Sequence, residues 1–115
     1  MRWALTFGML LGAVPAWAAS NVLSWSDNST NEANFVIERK TEACTGTTVP
    51  FTTLATTTAN IETYTDSAVS EGVTYCYRVA ARNTAGTSAY SNTAGRQVPL
   101  SVPLAASGLI VGPGL

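Results

Sequence analysis

Val73-Thr74-Tyr75-Cys76-Tyr77-Arg78-Val79-Ala80-Ala81-Arg82 is the stretch on which the fold turns. Residues two apart lie on the same side of an extended chain, so Val73, Tyr75, Tyr77, Val79 and Ala81 share one face. Thr74, Cys76, Arg78, Ala80 and Arg82 share the other. One face is apolar and aromatic, and the other mixes charge with small residues, which is the pattern of a strand standing between a core and a polar surface. Ser70, Glu71 and Gly72 turn the chain into this strand. Asn83, Thr84, Ala85 and Gly86 turn it out again, with Gly86 suited to a positive φ.

Outward from this strand the same pattern recurs in shorter pieces. In Asn21 to Ser26, Leu23 and Trp25 alternate with Ser24 and Ser26. In Phe35 to Lys40, Phe35, Ile37 and Arg39 alternate with Val36, Glu38 and Lys40. Phe51 to Thr57 and Ile61 to Thr65 are threonine-rich, and the branched Cβ of threonine favours the pleated conformation. A last strand is expected from Thr87 to about Val98. Between these pieces lie turn-formers, Asp27 to Glu32 above all, and a longer connection from Thr41 to Pro50 containing Cys44 and Gly46. No stretch has a helical period. Short strands punctuated at intervals of ~8–12 residues specify an all-β sandwich or barrel.

The first eighteen residues follow a different rule. Arg2 is followed by the apolar run Trp3 to Val14, and Ala16 and Ala18 are the small residues that a signal peptidase requires before its cut. The run is shorter than the ~20 residues of a membrane-spanning helix. Residues 1–18 are therefore expected to be a cleaved export signal, residues 19–98 one small domain, and residues 99–115 an apolar tail.

Beyond residue 18, Arg39, Lys40, Arg78, Arg82 and Arg96 face seven carboxylates, and no basic stripe exists for a phosphate backbone; no nucleic-acid partner is expected. Cys44 and Cys76 both lie in the exported part, where an oxidising compartment closes such a pair, so a structural disulfide is expected. The chain contains no histidine, which removes Ser-His and Cys-His pairs and the usual zinc sites. Glu38 and Glu42, flanked by Arg39 and Lys40, read as solvated charge. Asp27, Asn28 and Glu32 read as a turn, since their spacing fits no calcium loop. Asn28-Ser29-Thr30 fits the N-glycosylation pattern in a host that glycosylates. No catalytic residue, cofactor or metal is expected.

Taken together, Leu23-Ser24-Trp25-Ser26-Asp27-Asn28-Ser29, Phe35-Val36-Ile37-Glu38-Arg39, Tyr64-Thr65-Asp66, the Gly72-to-Val79 stretch and Asn83-Thr84-Ala85-Gly86-Thr87-Ser88 through Ser91-Asn92 resemble a fibronectin type III domain of the bacterial extracellular kind. The resemblance implies an immunoglobulin-like two-sheet β-sandwich with Leu23, Trp25, Phe35, Ile37, Tyr75, Tyr77 and Val79 in its core. It places Tyr75 at the tyrosine corner, where the hydroxyl returns to a loop carbonyl, and packs Trp25 on Tyr77 across the sheets. It also sets strand C antiparallel to strand F, so that Cys44 meets the outward side of Cys76 in an exposed staple. With 31 intervening residues, the closed loop implies stabilisation of ~3–4 kcal/mol. Once residues 1–18 are removed, the family's first strand has no counterpart, and the Asn21–Ser26 strand is expected to be an open edge.

These readings imply a secreted or cell-surface, non-catalytic interaction module. Its ligand, a protein or a surface, would meet the loops holding Asp27, Asn28, Asn31, Asn83, Thr84 and Gly86. Tyr64 and Tyr90 are the rings available to a carbohydrate. The alternative is a structural subunit that polymerises when the tail, with its period-two pattern from Leu100 to Ile110, adds to the open edge of a neighbour.

Overall fold

The computed structural model describes residues 5–7, 19–103 and 105–114. Among them there is no helix, and hence none long and apolar enough to cross a membrane. The strands are β1 (Leu5–Phe7), β2 (Asn21–Trp25), β3 (Asn34–Lys40), β4 (Thr52–Thr58), β5 (Thr63–Asp66), β6 (Thr74–Asn83), β7 (Gly86–Thr87) and β8 (Ala94–Gln97). They form two antiparallel sheets. One has the order β1-β2-β5; in the other, β4-β3-β6 continues to β7 and β8, which both pair with the far side of β6. This is the immunoglobulin-like sandwich that the resemblance implies, one of the two architectures, sandwich or barrel, that the alternating strands allow.

The core lies between the sheets. Leu23 and Trp25 from β2, Phe35 and Ile37 from β3, and Tyr75, Tyr77, Val79 and Ala81 from β6 are buried together with Val98. Trp25 meets Phe35 edge-on, with ring centroids 5.7 Å apart, and Tyr75 and Tyr77 lie 6.5 Å apart. The tyrosine at the corner is Tyr75, whose hydroxyl accepts a hydrogen bond from the Ser70 backbone N–H at 2.9 Å. The expected partner was a carbonyl; the ring instead pins the turn before its own strand through a donor.

The strand expected from Thr87 to Val98 is broken between β7 and β8. The two flanking pieces pair with β6 in registers two residues apart, so the extra residues bulge out. Serine hydroxyls fill the gap in the ladder. Ser88 Oγ accepts from Ala81 N–H at 2.9 Å and Ser91 Oγ from Val79 N–H at 3.0 Å, while Ser88 and Ser91 N–H donate to the carbonyls of Ala81 and Val79. The backbone donors of β6 are thus satisfied where no strand passes.

Cys44 and Cys76 are joined, with Cα atoms 5.1 Å apart. The staple is not exposed as expected: Cys76 is wholly buried, on the side of β6 that carries Arg78. β8 explains the difference. Gly95 pairs with Cys76, and a Cβ on Gly95 would lie 2.6 Å from the Tyr75 carbonyl oxygen and 2.9 Å from Cys44 Sγ, so a residue without a side chain lets β8 close over the bridge.

Both ends of the chain bear on the edge of β2. In the full chain Leu5, Thr6 and Phe7 pair antiparallel with Trp25, Ser24 and Leu23 along the outer edge of β2, while the open edge was expected for a chain without residues 1–18. An edge of unpaired backbone groups accepts any extended segment within reach, and the apolar residues read as export signal include such a triplet. Arg2, Ala16 and Ala18, on which the signal reading rests, lie outside the described residues. At the other end the described residues of the tail form no strand within their own subunit: Val102, Leu109, Ile110 and Val111 are all highly exposed, so both parities face outward.

Candidate binding site at the loop pole

The turn Thr84-Ala85 and the loop from Ser26 to Ala33 meet at one pole of the sandwich because β3 and β6 pair up to Asn34 and Arg82. Local polar bonds set both loops. The Asp27 carboxylate accepts from Ser29 N–H at 2.9 Å, closing an Asx turn, and Asn83 Oδ1 accepts from Ala85 N–H at 2.8 Å, closing another. Asn83 Nδ2 donates to the Asn31 carbonyl at 3.1 Å and Ala33 N–H to the Arg82 carbonyl at 2.8 Å, which ties the loops together. Gly86 has φ +142°, which allows the two-residue hairpin.

Between the loops is a cleft of about 240 Å³. Ser29, Asn31 and Glu32 form one wall, and Arg82, Asn83 and Gly86 the other. Of the six residues singled out in the sequence, Asn31, Asn83 and Gly86 line the cleft, while Asp27, Asn28 and Thr84 do not. Asp27 acts behind it as a turn-former; Asn28 and Thr84 are exposed. Glu32 and Arg82 were missed as wall residues. The signal for Arg82 was its place as the last polar-face residue of the decisive strand, immediately before the turn.

Electrostatics distinguish the two walls. Burial, then the neighbouring Glu32 carboxyl, raise the Asp27 pKa above its ordinary value. Glu32 is lowered, by its own backbone N–H and then by the neighbouring Asp27 carboxyl. The acidic wall is therefore internally committed, and Glu32 also accepts from Asn60 N–H at 3.3 Å. Across the cleft Arg82 donates Nε–H to Asn34 Oδ1 at 3.2 Å and is in no ion pair among the described residues, whereas Arg39, Lys40 and Arg78 each have a carboxylate within 3.2 Å.

Arg96 likewise is in no ion pair among the described residues, and it lies on β8, away from the cleft. On the outer face of the larger sheet, Arg78 lies between Tyr90 and Phe51, 3.7 and 4.1 Å from their ring centroids, and pairs with Glu38 at 2.6 Å. Glu42 pairs with Lys40 and accepts N–H bonds from Thr48 and Val49. Glu38 and Glu42, read as solvated, are thus each engaged in an ion pair. Tyr90 is engaged too, and Tyr64 packs against the core, which leaves neither ring as an open sugar platform. At the pole where the chain leaves, Asp66 is buried and receives Arg39 Nη1–H at 2.8 Å and Tyr77 O–H at 2.6 Å, while Asn21 Nδ2–H donates to the Tyr77 hydroxyl. Burial, then the bond to Asp66, push the Tyr77 hydroxyl's pKa well up, so it remains a donor. Among the described residues no three of Cys, Asp or Glu are grouped to hold a metal ion.

No protein-family model matches the chain, and no curated protein matches its sequence. Solved structures do match. The fibronectin type III domain of the human collagen α-1(XX) chain is 14% identical at a TM-score of 0.64, covering 90% of this chain and 88% of that one. The sixth such domain of human fibronectin type III domain containing protein 3 is 17% identical at 0.58, covering 78% and 81%. Pectate lyase PelI from Erwinia chrysanthemi, solved with tetragalacturonic acid, is 19% identical at 0.66; the match takes in 83% of this chain, which spans only 28% of PelI. The chain therefore has the fibronectin type III fold.

Proposed function

We propose that the protein is a non-catalytic interaction module, exported to the cell surface or beyond, that engages a protein or surface partner at its loop pole. The observation that carries this reading is Arg82: a guanidinium with no carboxylate of its own, in the wall of a cleft between two loops braced by Asx turns. A charge left unpaired on a rigid frame suits a partner that brings the complementary carboxylate. The cleft is polar and small, which fits a loop or an acidic side chain better than a deeply enclosed substrate. Export is supported by the pattern of residues 1–18 and by the Cys44–Cys76 bridge. The likeness to part of PelI concerns the fold, and no lyase chemistry is carried over.

The test is a comparison of exported wild type with Arg82→Glu on the host's own envelope proteins, by quantitative cross-linking. Arg82→Glu should lower recovery of a saturable partner at least tenfold while the melting temperature stays within a degree or two, because Arg82 is exposed. Equal recovery by both proteins would remove the loop pole as the binding site.

A further inference from the structure

β2 is the strand whose surroundings change if residues 1–18 are removed. Its inner edge pairs with β5 from Asn21↔Asp66 to Ser24↔Thr63, and its outer edge pairs only with Leu5, Thr6 and Phe7. That pairing shows what the outer edge accepts: an antiparallel triplet with an apolar residue opposite Trp25, any extended residue opposite Ser24, and an apolar residue opposite Leu23. Directly opposed residues of an antiparallel pair point to the same face, and Trp25 and Leu23 point into the core.

The tail contains a triplet of the same form. Leu109-Ile110-Val111 is apolar and rich in β-branched residues. It lies between Pro103 and Pro113, so every one of its backbone N–H groups can donate. Among the described residues nothing covers it: Leu109 is 92% exposed and Val111 95%.

Direction decides whose β2 it can reach. Asn21, the start of β2, pairs with Asp66 at the pole where β5 ends. The tail leaves at this same pole, where Val98 bonds with Gly72 and Val73 and the Glu71 carboxylate accepts from Ser101 Oγ–H at 2.8 Å. A tail folded back on its own β2 would enter beside Asn21 and run parallel to it. An antiparallel strand like β1 must enter beside Trp25, at the loop pole, and so must come from another copy whose exit pole faces that loop pole. The eight residue-to-residue steps from Ser101 to Leu109 reach ~26 Å when extended, enough to cross from one subunit to the strand of the next.

We propose that, with residues 1–18 removed, Leu109–Val111 of one copy takes the place of Leu5–Phe7 on β2 of the next, with Leu109 opposite Trp25 and Val111 opposite Leu23, linking subunits head to tail. The proposal rests on the export reading above. A head-to-tail contact need not close, so linear oligomers follow. Each acceptor contributes its loop pole to the junction, which makes a second copy of the chain a partner of that end of the molecule.

The experiment takes the exported full chain and begins with its intact mass, which reports whether residues 1–18 are gone. Light scattering across a hundredfold concentration range should then show oligomers that grow with concentration. Leu109→Asp with Val111→Asp should reduce them to folded monomers whose melting temperature no longer rises with concentration, whereas Ile110→Thr, on the opposite face of the added strand, should leave them intact. A synthetic peptide of residues 105–115 should bind the double variant and slow exchange of the β2 amides. A mass that retains residues 1–18 overturns the proposal through its premise, since the edge is then occupied. Cleaved protein that is monomeric, or equally oligomeric with and without the double substitution, overturns the tail's role. A cleaved monomer whose β2 amides lose protection on tail deletion would place the tail on its own subunit and overturn the exchange between copies.

Discussion

β6 and β2 are the central strands of their respective sheets and bury side chains in the same core, yet they are held in different ways. β6 pairs with β3 from Arg82 to Cys76 on one side. On the other it has β7, β8 and two serine hydroxyls, and the disulfide is attached to it directly. β2 has β5 on one side and three residues on the other, and those three belong to the segment that reads as an export signal. Every partner of β6 comes from the domain itself, while the completeness of β2 depends on what occupies its edge. The fold can thus tolerate a change of partner at one sheet because the other is closed without it.

Removing the large side chain that β2 brings to the core is the most direct way to break this contrast. Trp25→Ala should cost ~3–5 kcal/mol in urea unfolding, the range for deleting a buried large aromatic. Trp25→Phe should cost less than half as much. The Trp25 indole N–H is buried without an acceptor among the described residues, so its removal leaves no broken bond behind. If Trp25→Ala costs under ~1 kcal/mol, β2 is peripheral and the core belongs to β3 and β6 alone.

On the β6 side the corresponding test is the bridge. Cys44→Ser with Cys76→Ser should cost ~3–4 kcal/mol by the loop-entropy estimate. Hydrogen exchange should accelerate at Thr74 to Tyr77 before it does at β2. Uniform acceleration through both sheets would mean that the bridge acts only on the unfolded chain and does not anchor β6 locally. Gly95→Ala offers a gentler version, since the added methyl meets the Tyr75 carbonyl oxygen and Cys44 Sγ.

The same contrast explains what could be read from the sequence. Alternation of apolar residues in Val73 to Arg82 made the strand, its inward face and the sandwich legible, because a period of two has one physical meaning when the apolar face is this regular. The break between β7 and β8 was not legible: Ser88 and Ser91 are ordinary strand-surface residues until it is known that their hydroxyls replace missing carbonyl partners. The buried Asp66 could not be told from a turn residue, since its side-chain partners Arg39 and Tyr77 come from two other segments, with Asn21 bonded in turn to the Tyr77 hydroxyl. At the loop pole the turn-formers were readable but their depth was not. Asn31, Asn83 and Gly86 reach the cleft while Asp27 and Thr84 do not, and Arg82, which like Arg96 is in no ion pair among the described residues, is marked out only once its place in the cleft wall is known. Occupation of the β2 edge was hidden because residues 5–7 carry two compatible readings, signal and strand.

A smaller effect sharpens the picture at the start of β6. Tyr75→Phe keeps the ring in the core and removes only the oxygen that accepts from Ser70 N–H, so the loss should be about 1 kcal/mol, the net worth of one such bond. It should appear as faster exchange of the Ser70 amide with little change elsewhere. A loss comparable with Trp25→Ala would show that the hydroxyl organises the whole exit pole.

The smallest effect concerns the loop that carries Cys44 to β6. Glu42 is held at a pKa of about 2, below its ordinary carboxylate value, first by the Thr48 hydroxyl and then by the N–H groups of Val49 and Thr48 and the Lys40 ammonium. The folded form therefore binds its proton less readily than the unfolded chain does. Stability from these contacts is complete above the unfolded pKa of ~4.3 and is lost as pH falls from there through about 2. Glu42→Gln cannot take part in that titration, so its melting temperature should fall less steeply than wild type between pH 5 and pH 2, and the two curves should converge at the acid end. High salt should narrow the gap, since the site borders solvent. Because the loop joins β3 to the bridge and not to β2, acid should loosen the amides of Thr48 and Val49 while the β2 amides keep their protection. Parallel curves for the two proteins would show that the loop is held by the Cys44–Cys76 bond alone.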